Sequence, residues 1–212
     1  MFWKLNKKGL IGLLAVVFFC VASVNIYAAE TAATATQTPK QVVEEFQTVL
    51  LEVMKQGQSL GYQGRYDKLY PAVTRSYDLN KIARIIVGKE WESLSEKQQA
   101  ELVDVFIRLS VASYAHNFKE FAGEVFRFES EEQTSRGGMV VHATLVIPDG
   151  KPVRFDYMLK EKPNGWSIIN VIADGVSDLA LKRSEYTSIL QRQGFDALIT
   201  QINAKITNYS KL

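Results

Sequence analysis

MVVHATLVIPDGKPVRFDYMLKEKPNGWSIINVIADG, residues 139–175, is the stretch whose reading decides the fold. Val141, Ala143, Leu145 and Ile147 alternate with Val140, His142, Thr144 and Val146, and Asp149-Gly150 marks a turn. Val153, Phe155, Tyr157 and Leu159 then alternate with Arg154, Asp156 and Met158. Asn164-Gly165 is a hairpin dipeptide leading into a last strand, Trp166 to Ala173. With a partly alternating run from Val125 to Glu131 before them, these segments predict an antiparallel meander of about four strands.

Upstream the period is that of a helix. Pro39 is an acceptable first helical residue, and Val42, Val43, Phe46, Val49, Leu50, Val53 and Met54 fall on one stripe. Gly57, Gly61 and Gly64 break the pattern, leaving a short second helix through Tyr62, Tyr66, Leu69 and Tyr70 before Pro71. Asp78 caps a helix that Gly88 stops. Ser95 and Gln98 have capping-box spacing ahead of the longest helix, which carries Leu102 through Phe118. Two more helices follow the strands, near Asp178 to Gln191 and near Phe195 to Asn208. Helices, a connected sheet, then closing helices make an α+β domain.

The chain opens with the three parts of an export signal. Lys4, Lys7 and Lys8 lead an uncharged, mostly apolar run from Gly9 to Val24, about 16 residues and short for a membrane span. Ile26-Tyr27-Ala28 offers a cleavage site, so residues 1–28 are read as a signal peptide, 29–38 as a flexible Ala/Thr-rich leader and 39–212 as one domain. Cleavage removes three of the 25 basic residues and leaves 22 against 23 acidic ones, a net of −1. No nucleic-acid partner is expected from that balance. The single cysteine, Cys20, leaves with the signal, and Phe18 and Phe19 ahead of it do not fit a lipid-modified cysteine. The mature chain therefore has no disulfide or thiolate chemistry.

Chemistry-bearing motifs are sparse. His116 and His142 have no second His or Cys at ligand spacing, so neither metal nor other cofactor is expected. There is no GxxxxGK[ST], no GxGxxG after a strand and no GxSxG. A carboxylate in an apolar pocket could still do acid–base work, with Asp156 first and Asp174 second as candidates. Asp156 alternates outward from Phe155 and Tyr157, however, and Asp174 precedes Gly175 in a turn. Val140–Ile147 and Trp166–Ile172 are apolar at nearly every position. Either helices cover both faces of the sheet, or one face lines a cavity.

The run from Trp166 through Asp174-Gly175-Val176-Ser177, then Arg183-Ser184-Glu185-Tyr186 and Gly194 to Leu198, resembles the end of the MlaC/toluene-tolerance family. Tyr77-Asp78, Ile82-Ala83, Gly88, Trp91, Leu94, Phe106 and Tyr114 follow that family's helical order, so the resemblance covers roughly residues 40–205. The wording Gly-Val-Ser-Asp-Leu-Ala-Leu followed by Arg183-Ser184-Glu185-Tyr186 is closer to the hopanoid-associated branch, HpnM. The resemblance implies a periplasmic lipid carrier rather than an enzyme: an NTF2-like curved sheet and helices around an apolar cavity. It implies a phospholipid or hopanoid ligand, an inner-membrane lipid ABC transporter complex and an outer-membrane lipoprotein complex as partners, and a monomer. Expected wall residues are Phe106, Tyr114, Phe118, Leu145, Phe155, Tyr157, Ile169, Val171 and Val176, with Arg183 as an anionic-headgroup contact. A small-pocket enzyme or an exported protein-binding adaptor are the competing readings.

Overall fold

The computed structural model describes residues 37–211. The stretch 1–28 read as a signal peptide, and the part of the expected leader up to residue 36, lie outside the described residues.

Helix α1, Pro39–Lys55, begins at a capping box in which Thr38 and Gln41 satisfy each other's backbone N–H groups. Thr38, read from sequence as the end of the leader, is thus the N-cap of α1. Helix α2, Gly57–Ser76, is longer than expected and runs through Pro71. Of the three glycines read as breaks, Gly61 leaves helical backbone, with φ 60° and ψ −176°, a conformation that L side chains rarely adopt. Beyond that kink Leu69, Ala72 and Val73 are fully buried, and their packing outweighs the helix bond that Pro71 removes. Helix α3, Leu79–Val87, is capped by Asp78, whose Oδ1 accepts from Lys81 N at 3.0 Å, and it stops at Gly88. A 3₁₀ turn, Gly88–Ser93, leads to α4, Glu96–Asn117, which starts at the Ser95/Gln98 capping box.

The sheet is antiparallel in the order β1-β2-β3-β4-β5: Val125–Gln133, Gly138–Val146, Val153–Lys162, Gly165–Ala173 and Val176–Ser177. The fifth strand is two residues long and pairs Ser177 with Ile172 and Val176 with Ala173, too short for periodicity to register. Helices α5, Asp178–Gln193, and α6, Phe195–Lys211, close the chain.

Two apolar clusters form the core. The first joins α1, α2 and part of α4 to one face of the sheet through Val141, Ala143, Tyr157, Leu159 and Ile168. The second joins α3, the rest of α4, α5 and α6 around Ile86, Phe106, Leu109, Tyr186 and Leu198. Helix α4 supplies both, and Ile82 touches both. Val140, Val146, Met158 and Ile172, on the opposite face, belong to neither cluster and are part-exposed. The face carrying the odd-numbered residues of β2 and β3 is the one built into the core, so only one of the two apolar faces lies under helices among the described residues.

Candidate functional site

Where the two clusters would meet there is a cavity of about 630 Å³. That lies inside the range of about 300–1,000 Å³ usual for small-molecule sites. Its position follows from register. Helix α1 covers the end of the sheet that carries Leu159 and Ile168, while Tyr157 pairs with Val141 and Val171 midway. Beyond Tyr157 the same face continues into Phe155, Ala173 and Leu145, and these line the cavity instead.

The opposite wall is one stripe of α4, Phe106, Ser110, Ser113, Tyr114 and Asn117, spaced so that each follows the last by about one turn or its neighbour. Ile82 and Ile86 of α3 close one side, and Val176, Leu179 and Lys182 of the β5–α5 segment close another. Lys119, Glu120 and Glu124 contribute from the segment after α4. Four of the described residues' exposed large apolar side chains belong to these two segments: Phe121 and Val125, Val176 and Leu181.

Eight of the ten residues singled out from sequence line this cavity: Phe106, Tyr114, Phe118, Leu145, Phe155, Ile169, Val171 and Val176. Tyr157 does not. It is 1% exposed beneath α1, because it sits at the register position where the helix still covers the sheet. Arg183 does not either. One residue past Lys182 turns it about 100° around α5, into a shallow groove with Ala180, Ser184 and Thr187. Sequence reasoning passed over Lys182, since a lysine four residues after Asp178 reads as a solvated ion pair. It also passed over Ser110 and Ser113, which the helical stripe through Phe106 and Tyr114 could have flagged.

The wall is mostly uncharged. Tyr77 and Tyr114 both line it and hydrogen-bond each other through their phenol oxygens. Burial pushes both phenols above their ordinary value, and for Tyr77 the neighbouring Tyr114 and Tyr157 add to the rise. They therefore act as neutral hydroxyls.

The two carboxylates considered for acid–base work are elsewhere. Asp156 lies on the other face of the sheet, with His142 Nδ1 at 2.6 Å and Arg154 Nε at 3.1 Å. Asp174 is in the β4–β5 turn and accepts from Arg154 N at 2.9 Å. His116 is on α4 against Tyr209, ring centroids 5.1 Å apart. Among the described residues no group of three or more His, Cys, Asp or Glu could hold a metal ion. No helix among them is long and apolar enough to cross a membrane.

Residues 44–204 match the family model described as MlaC protein. Over 138 residues the chain is 24% identical to the intermembrane phospholipid transport system binding protein MlaC of Haemophilus influenzae, covering 63% of each chain. The match thus spans just under two thirds of that curated relative's length. A phospholipid-binding protein of Ralstonia solanacearum, solved in complex with a phospholipid, superposes with a TM-score of 0.72 at 17% identity. That superposition covers 82% of this chain and 99% of the other, and it shows that the fold is shared.

Proposed function

The chain belongs to the MlaC protein family, and from that premise we propose that it is a periplasmic lipid carrier. It takes a phospholipid or a hopanoid into the cavity, as a monomer, and passes it between an inner-membrane lipid ABC transporter complex and an outer-membrane lipoprotein complex. The observation that carries this reading is the cavity itself, about 630 Å³ walled mainly by Phe106, Tyr114, Phe118, Leu145, Phe155 and Val171. An adaptor that binds only protein has no use for such a space. An enzyme built on Asp156 or Asp174 would need that carboxylate in the cavity, and neither lines it.

Energetics restrict the mechanism. Hiding two acyl chains of about 15 CH₂ groups each from water is worth roughly 24 kcal/mol at ~0.8 kcal/mol per CH₂. A lipid in a bilayer already has that gain, so exchange is close to neutral when the protein's wall is equally dry. Directionality then comes from the partner complexes, not from this chain. The export signal supplies the compartment, and the wording of residues 175–186 supports the hopanoid-associated branch within the family.

Native mass spectrometry of gently purified protein tests the reading. The expected result is a bound lipid mass that disappears on denaturation and whose fragmentation separates phospholipid from hopanoid. A folded preparation that is repeatedly empty, from a host rich in both lipids, overturns it.

A further inference from the structure

One face of α3 carries a row of cations. Lys81 and Arg84 lie one turn apart, and Gly88 follows one turn further on. A Cβ built on Gly88 would come within 3.6 Å of Arg183 Nη2, so α5 delivers its guanidinium to the end of the same row. Thr187 holds the two helices in that relation, its Oγ1 donating to Ile86 O at 2.7 Å. The Arg84 guanidinium carbon sits 5.1 Å from the ring of the buried Trp91, which fixes the charge without neutralising it.

The row has no counter-charge of its own. None of the ion pairs among the described residues involves Lys81, Arg84 or Arg183. Neighbouring carboxylates are engaged elsewhere. Asp78 caps α3 and takes Lys162 at 3.4 Å. Glu90 is shared by Lys89 and Gln191, and Glu185 takes Lys205. Two shallow grooves adjoin the row. The one beside Lys81 and Arg84 has Asp78 as its only carboxylate, and the one running along α5 from Arg183 to Arg192 has none. Residues 29–212 together hold 22 basic and 23 acidic side chains, so the positive excess belongs to this face and not to the chain as a whole.

We infer that the α3/α5 face docks a partner protein through a strip of carboxylates on that partner. Three cations spread over about 10 Å of helix match acidic side chains that repeat once per turn. Guanidiniums at two of the three positions can each pair with a carboxylate through two hydrogen bonds. Complementarity of this kind governs encounter rate and partner choice more than raw affinity. A bilayer surface fits less well, because surface binding to lipid combines cations with apolar anchors. The exposed large apolar side chains among the described residues, Tyr70, Phe121, Val125, Val176 and Leu181, line neither groove. The inference goes beyond the carrier reading and does not rest on it, since Lys81, Arg84 and Arg183 all lie outside the cavity wall.

The test uses the chain from residue 29 onward and a fluorescein-labelled decaglutamate peptide, read by fluorescence anisotropy. Binding is expected at low salt and should weaken steeply as salt is raised. Arg84→Gln/Arg183→Gln should weaken it about tenfold. Lys97→Gln/Lys211→Gln, which removes two cations elsewhere, should leave it unchanged. Amide shifts on adding the peptide should cluster in residues 79–92 and 180–192. Circular dichroism checks folding, and Lys81→Gln/Arg183→Gln replaces the first pair if loss of the Trp91 contact unfolds it. Equal weakening by both pairs, no weakening by either, or no binding at all overturns the inference. Binding to phosphatidylglycerol vesicles with none to the peptide would reassign the face to a membrane surface. Release of the peptide by millimolar inorganic phosphate would reassign it to a free anion, and either result overturns the inference too. No lipid enters the peptide measurement, so its failure leaves the carrier reading standing.

Discussion

Tyr77, closing α2, and Tyr114, on α4, bond phenol to phenol, and both rings meet Phe46 of α1 edge-on at centroid distances of 5.2 and 5.0 Å. Three helices are thereby fastened at the cavity wall through a pair of hydroxyls with few water contacts. The arrangement requires both phenols to be neutral. Burial raises Tyr77, Tyr114 and Tyr157 above the ordinary tyrosine value of about 10. A phenol whose folded pKa is raised stabilises the fold fully below its unfolded pKa, and that contribution is lost as pH climbs towards the folded pKa. An alkaline titration of the folded protein tests this. Tyr77, Tyr114 and Tyr157 should ionise only above the ordinary value, in one step with the loss of near-ultraviolet circular dichroism. Complete ionisation near pH 10 with the signal intact would contradict this.

Removing one hydroxyl of the pair is a separate matter. Tyr114→Phe strands the Tyr77 phenol, and an unsatisfied buried hydroxyl costs about 1–3 kcal/mol. Urea denaturation should show a loss in that range, and Tyr77→Phe/Tyr114→Phe together should lose less than the sum of the singles. Additive losses would mean that the two hydroxyls do not depend on each other.

A second fastening holds the end of α4. Arg65 is buried, and its Nε donates to Ala115 O at 2.7 Å while Nη1 donates to Gly57 O at 2.8 Å. Ala115 lies in the last turn of α4, where carbonyls lack helical partners, so the guanidinium supplies what the helix cannot. Just beyond, a Cβ on Gly57 would run into the Lys119 carbonyl oxygen. Arg65→Met should therefore cost about 2 kcal/mol in chemical denaturation, with little dependence on salt. Arg65→Lys should recover little of it, because one ammonium does not reproduce the fork. Gly57→Ala should destabilise too, and raise hydrogen exchange along residues 118–124. Wild-type stability in Arg65→Met would show that these hydrogen bonds are redundant.

The fold was legible where local chemistry repeats. Period-two alternation fixed which residues share a sheet face, and Asp78 and Ser95 each cap the helix that their position announced. Local signals misread α2, because the burial of Leu69, Ala72 and Val73 that carries the helix past Pro71 is a tertiary effect. The site was legible in part for the same reason. Periodicity places Leu145, Phe155, Tyr157 and Val171 on one face but says nothing about how far along that face α1 reaches. Tyr157 lies under the helix and Phe155 beyond it, a distinction of one cross-strand row. Lys182 was hidden by its own partner, since a Lys four residues after an Asp carries no mark of burial.

The two faces of β3 give a control. His142 and Asp156, 2.6 Å apart, sit on the face away from the cavity, each 18% exposed at the side chain. Asp156→Asn should cost a modest amount of stability, about 1 kcal/mol, and leave lipid retention unchanged. Ala173→Trp, on the cavity face, should do the reverse: reduce retention several-fold at nearly unchanged stability, since the added ring enters existing space. Native mass spectrometry and urea denaturation of the two variants read both effects. Loss of lipid in Asp156→Asn alone would move the site to the other face.

The β5–α5 wall of the cavity is held by one amide. Asn170 Oδ1 accepts from Ser177 Oγ at 3.1 Å and from Leu179 N at 3.3 Å, while Ser177 Oγ itself accepts from Ala180 N at 3.1 Å. That chain ties the cap of α5 to β4, and the segment it secures carries Val176, Asp178, Leu179 and Lys182 of the cavity wall. Beyond it the two-residue strand β5 gives little further hold. Asn170→Ala should therefore free the first turn of α5 more than it weakens the domain. The expected readouts are a global stability loss of about 1–2 kcal/mol, faster hydrogen exchange confined to residues 176–182, and faster exchange of a fluorescent lipid with vesicles. Unchanged lipid exchange alongside loosened amides would place the path for the lipid elsewhere on the rim, with the segment 119–125 as the next wall to cut.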